Sequence, residues 1–282
     1  MRDRFQGALI GLALTPTVLS HSTFSHVQSD SSSLSALTRA IAIATTPLNK
    51  RSAHSGSSTT DSSTTDSSTT LFTEAGNDLS SSFWLPASVP ILLRYHDSWT
   101  RRFRRLLPLS AIDNLTAPFD KRFSQILLLG DLLEAMDEDL TISNWSSWLT
   151  DCSARYVRWP HLHAQYQSIL SALTLPLSAL LTVEKTIDES HRGFIKGAAS
   201  ALTCPEGYAL AVSSSAEPPA ESESSVIWES VFVSGLLAGA LQGRSAIPLL
   251  WQMQPSLIET TAAADHLFSL WTGIATAGEL PD

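Results

Sequence analysis

Serine is abundant in this chain, but a serine nucleophile needs a neighbouring base and a strained strand-to-helix turn, and no Gly-x-Ser-x-Gly occurs. Phosphate-cradling loops of the Gly-x-Gly-x-x-Gly or Gly-x-x-x-x-Gly-Lys-Ser/Thr type are also absent, so nucleotide binding by those routes is not expected. His161 and His163 stand two apart, which puts them on different faces of a helix and argues against a shared metal. The only two cysteines, Cys152 and Cys204, are distant in sequence and have no Cys or His partner at ligand spacing. They read as buried thiols rather than a disulfide or zinc site. The acidic run Asp137, Glu138 and Asp139 could attract a cation, but adjacent carboxylates at a helix end cannot all converge on one ion, and a solvated loop fits better. Arg101, Arg102, Arg104 and Arg105 surround Trp99, Phe103 and Leu106. That pattern is an amphipathic helix with a cationic face, either solvated or docking on an acidic partner or anionic lipid.

The elements that must position such residues read as helices. Leu34, Leu37 and Ile41 recur at helical spacing, with Pro47 limiting that segment. Pro86 and Pro90 bracket the entry to a helix carrying Ile91, Leu92, Tyr95 and Trp99. From Phe119 to Met136 a wide apolar face is formed by Phe123, Ile126, Leu127, Leu129, Leu132, Leu133 and Met136. Trp145, Trp148 and Leu149 mark one further helix, and Leu162, Tyr166, Ile169, Leu170 and Leu173 another, stopped near Pro176. Gly193 to Leu202 follows with small residues at helical spacing, and Val226 to Leu241 carries glycines at 235 and 239, with Gly243 beyond, four apart. That spacing lets a neighbouring helix approach closely. No run of alternating strands appears, so the expected class is all-α.

Two stretches have compositions unable to support a core: 52–70, with its SSTTD repeat, and 213–225, reading SSSAEPPAESESS. Both are expected to be flexible insertions in one domain spanning 1–282. A net charge of −9 and a pI near 5.3 argue against a general nucleic-acid binder, which needs a basic face to displace counterions. The opening Met1-Arg-Asp-Arg and the apolar run Gly7 to Leu14 resemble a signal peptide, but the run is short and Asp3 interrupts the basic start. A core helix explains it better, and a cytoplasmic protein without transmembrane segments is expected. The longest later apolar stretch, Val231 to Leu241, is about half a membrane span.

Two of these segments resemble the ADP-ribosylglycohydrolase family: Asp3-Arg-Phe-Gln-Gly-Ala-Leu-Ile-Gly-Leu-Ala13, similar to its first helix, and Val233 to Pro248 followed by Trp251, similar to its glycine-rich late helix. Trp84 to Asp97, Leu115-Thr-Ala-Pro118 and Gly193 to Leu202 are similar to the middle helices. The resemblance implies a single all-α domain of many helices around a central cleft. It also implies a site where carboxylates hold two Mg²⁺ ions and the bond between ADP-ribose and a protein side chain is hydrolysed.

Position by position, that site does not carry over. Where the family has Gly-Asp-Ala-Leu-Gly the chain has Thr15-Pro-Thr-Val-Leu19, with Pro16 at the acidic position. The Thr-Asp-Asp-Thr motif corresponds to Ser29-Asp-Ser-Ser-Ser33, leaving at most Asp30, and the Asp-x-Asp-Thr motif to Val226-Ile-Trp-Glu229. The expected Thr-His pair is Thr116-Ala117. Hard divalent cations need several oxygen ligands, so neither bound metal nor catalytic residues are expected. The resemblance therefore implies a non-catalytic relative acting as a binding or interaction protein, with an unidentified protein partner or an ADP-ribose-like ligand. Two alternatives stand beside it. One is an ADP-ribosyl-protein hydrolase acting through relocated acids, with Asp30 and Glu229 as the candidate ligand-binding residues. The other is a docking module using the Arg101–Arg105 helix.

Overall fold

The computed structural model describes residues 1–15, 18, 84–106, 117–137, 144–175, 187–204, 207–216, 224–255 and 257–273. Among these the ordered elements are helices and no strand occurs, so the chain is all-α. In chain order they are α1 (Arg2–Ala13), α2 (Trp84–Arg94), α3 (Trp99–Leu106), α4 (Ala117–Asp137), α5 (Trp145–Ser153), α6 (Pro160–Leu173), α7 (Glu189–Thr203), α8 (Tyr208–Ala216), α9 (Ser224–Gln242), α10 (Leu249–Gln252) and α11 (Leu257–Thr272). Short 3₁₀ turns at Ala154–Tyr156 and Arg244–Ala246 complete the set. The helix expected through Leu34, Leu37 and Ile41 and the insertion at 52–70 lie outside the described residues.

Two helices organise the packing. Helix α9 lies against α1, α7 and α8, while α4 lies against α2, α3, α5 and α6 and touches α7 and α9. The glycine spacing seen in α9 does what small residues at a crossing do. Gly235 faces Gly11, and Gly239 faces Gly7. A Cβ on Gly235 would lie 2.5 Å from the Gly11 carbonyl oxygen, and one on Gly239 would overlap the Gly7 backbone. Backbone therefore meets backbone, and α1, expected as a core helix, is buried from Phe5 to Ala13. Gly243 closes α9 at φ 78°, a left-handed conformation suited to a residue without a Cβ. A second close crossing sets Gly197 of α7 on the Ser230 carbonyl and Val233 of α9.

Helix boundaries differ from expectation at three places. Pro86 and Pro90 do not precede α2 but lie within it, because a proline in the first turn costs no hydrogen bond. Pro90 does forgo one, and the buried apolar stripe of Leu85, Val89, Leu92 and Leu93 offsets that loss. Trp99 belongs to the next helix, after a turn at residues 95–97. The Ser-rich stretch expected to be a loop from 213 is helical as far as Ala216, where Ser215 is fully buried and its hydroxyl donates to the Val212 carbonyl. Its far end, Ser224 and Ser225, begins α9. No described helix is long and apolar enough to cross a membrane.

Candidate functional site

Glu229, the one site candidate within the described residues, sits in the second turn of α9 and is 9% exposed. Asp30, Pro16 and Thr116 lie outside them. The Glu229 carboxylate accepts a hydrogen bond from Arg122 Nη1 of α4 at 2.7 Å, forming an ion pair. Helix α7 shapes the same spot, because a Cβ on Gly193 would meet the Glu229 carboxylate at 2.9 Å. Burial pushes Glu229 above the usual carboxylate range, and the Arg122 guanidinium pulls it back.

The polar set extends from Arg122 across α4 to α7 and α6. Arg122 Nη1 also donates to Gln125 Oε1 at 3.2 Å. The Gln125 amide donates to the Ser190 carbonyl at 2.7 Å and meets His191 Nδ1 at 3.0 Å. His191 Nε2 in turn faces Gln165 Oε1 at 3.1 Å. Since the Gln125 nitrogen can only donate and the Gln165 oxygen can only accept, these contacts select the Nε2–H tautomer of a neutral imidazole. The remaining positions of the 226–229 stretch are apolar in structure as in sequence. Val226 is buried, and Trp228 stacks on Phe232 with ring centroids 5.1 Å apart. Among the described residues no group of three His, Cys, Asp or Glu side chains converges as a metal site would require.

A second polar cluster lies about 13 Å further along α4, nine residues at the α-helical rise. Asp131 is fully buried in the apolar face of that helix. Its Oδ1 accepts from Arg102 Nη2 at 2.5 Å and Arg155 Nη1 at 3.2 Å, and its Oδ2 accepts from the Tyr156 and Tyr166 hydroxyls, each at 2.9 Å. Glu134, one turn on, accepts from both arginines, at 3.0 Å from Arg102 and 2.9 Å from Arg155. Arg102 Nη1 donates to the His96 carbonyl at 2.9 Å, so the guanidinium is satisfied although only 1% of its side chain is exposed. Burial raises Asp131 despite the two cations, and burial together with Asp131 pushes both tyrosines well above their usual range. The Cys152 thiol is pushed up to about 12 by burial and by Asp131. A thiol held protonated in this way is a poor nucleophile, and both cysteines are free.

This cluster corrects the expectation of a four-arginine cationic face. Arg102 points inward and anchors α3 to α4, and the exposed arginines of α3 are Arg101, Arg104 and Arg105. Arg122, Gln125, His191, Asp131, Glu134, Arg155 and Tyr156 are not among the residues that the sequence singles out. The available signal was the pair Asp131 and Glu134, i and i+3, inside an apolar run. His161 is exposed and His163 partly so, at the start of α6. No family model matches the chain, and no curated protein matches it.

Proposed function

We propose that the chain is a non-catalytic relative of the ADP-ribosylglycohydrolases, retaining the helical scaffold and acting as a binding or interaction protein. The observation that carries this reading is the Arg122–Glu229 ion pair. At the stretch where the resemblance sets a carboxylate-rich metal site, a protein guanidinium 2.7 Å from the buried carboxylate already supplies the neutralising charge. Burying a lone carboxylate is costly, and in the family a metal ion would relieve that cost; here Arg122 does so from within the chain. Val226 and the stacked Trp228 add no oxygen donor at the other two positions of the motif. Helix α9 can thus remain folded at this point with no bound cation. Glu229, paired and enclosed by Gly193, is not poised to activate water, because a general base must reach a reacting proton.

The test is release of ADP-ribose from an ADP-ribosylated protein by the purified chain with Mg²⁺ present. The expected result is no release above the buffer control. Release that disappears in a Glu229→Gln variant would replace this reading with that of a hydrolase using an altered site.

A further inference from the structure

We propose that the face formed by α3 and the turn that follows the 3₁₀ segment at Ala154–Tyr156 docks on an anionic lipid bilayer. The inference does not depend on the fate of the Glu229 site. Arg101, Arg104 and Arg105 are exposed on α3, and Val157, Arg158 and Trp159 are exposed on the neighbouring turn. The Trp159 ring lies 4.8 Å from the Phe103 ring, so the turn packs beside α3. Arg101, Arg104 and Arg158 are gathered here although the chain's net charge is −9, so the cationic character is local to this face.

The patch is held in shape from beneath. Arg102 ties α3 to Asp131 and Glu134, and Arg155, immediately before Tyr156, is bound to the same two carboxylates. The two basic segments are therefore fixed relative to each other before any ligand arrives, which lowers the ordering cost of binding.

A bilayer suits this surface better than a soluble polyanion because the arginines are interleaved with apolar side chains. Val157 is 58% exposed and Trp159 37% exposed. An indole with one apolar face and a polar edge favours the headgroup boundary, as do arginines whose stems reach along it. Exposed apolar side chains beside exposed cations match the two signals that hold peripheral proteins on anionic membranes.

The test is sedimentation of the full chain with phosphatidylcholine vesicles prepared with and without phosphatidylserine. Binding is expected only to the phosphatidylserine vesicles and should weaken as salt is added. Each basic residue at such a surface contributes about fivefold in affinity, so Arg104→Glu with Arg158→Glu should lower binding roughly 25-fold or more. Val157→Ser, at an exposed turn position, should weaken it further while leaving the circular dichroism spectrum unchanged. Failure to sediment with phosphatidylserine vesicles would overturn the proposal, as would binding indifferent to the arginine substitutions. Competition by soluble polyglutamate, combined with no effect of Val157→Ser, would reassign the surface to an acidic polypeptide and equally overturn the lipid assignment.

Discussion

Replacing Asp131 by asparagine changes almost no volume, so its effect isolates the charge and hydrogen bonding of the buried cluster. Asp131 is the shared acceptor for Arg102, Arg155, Tyr156 and Tyr166, with two donors on each oxygen. An amide offers one acceptor oxygen and one NH₂ group that can only donate, so in either orientation one pair of donors meets the NH₂ group. Arg102, with 1% of its side chain exposed, would also lose its closest counter-charge. Breaking a buried pair by removing one partner costs about 3–5 kcal/mol. Glu134 remains 3.0 Å from Arg102 and retains part of the neutralisation, so the lower end, about 3 kcal/mol, is expected. Domains are stable by about 5–15 kcal/mol, so the loss is a large share of the total. The assay is urea denaturation followed by far-ultraviolet circular dichroism. With a slope of about 3 kcal/mol/M, the midpoint should fall by about 1 M with the slope unchanged. Asp151→Asn, at an exposed position of α5, should stay within about 0.5 kcal/mol of the parent. A midpoint shift for Asp131→Asn no larger than that of Asp151→Asn would refute the view that this cluster pins α3, α4 and α6 together.

Three further outcomes follow from the packing and the ion pairs. Gly239→Val should destabilise by at least about 3 kcal/mol in the same urea assay, because its side chain would enter the Gly7 backbone rather than a movable side chain. Arg122→Met should reduce the thermal midpoint at pH 7, because Glu229 would be buried without a counterion. Burial holds Glu229 above its usual range, and losing Arg122 raises it further, so the deficit should shrink as pH falls through the raised value. Asp265 has the opposite sign: hydrogen bonds from Arg2 and Gln6 hold it below its usual range, and the Asp265→Asn deficit in thermal midpoint should be present at neutral pH. As pH falls through the depressed value that deficit should close, and a deficit unchanged across the acid range would count against the ion pair.

Helix positions were legible wherever an apolar face was wide and uninterrupted. The Phe119 to Met136 reading falls inside the observed α4, and the spacing of Gly235 and Gly239 foretold a close crossing. The crossing partner was not legible, since nothing in the spacing of α9 says that Gly7 and Gly11 supply the other backbone. Proline misled the reading of α2, because a rule about interior prolines does not weigh the burial available to Val89 and Leu92. Arg102 misled it for a related reason. On a helix of eight residues with four arginines, the one at 102 lies on the same side as Phe103 and Leu106, but its inward orientation depends on Asp131 waiting on α4. Glu229 was found through its place in a motif. Its partner Arg122 was not, because 107 residues separate them and only the folded chain brings α4 to α9.

Calorimetric titration of the chain with ADP-ribose, with and without Mg²⁺, measures whether the Glu229 region takes a metal-dependent ligand. With Arg122 already neutralising the carboxylate, the titrations should be superimposable in the two conditions. Binding that requires Mg²⁺ would contradict a non-catalytic role, because it would mean that carboxylates of this chain assemble a metal site, as a hydrolase of this kind needs.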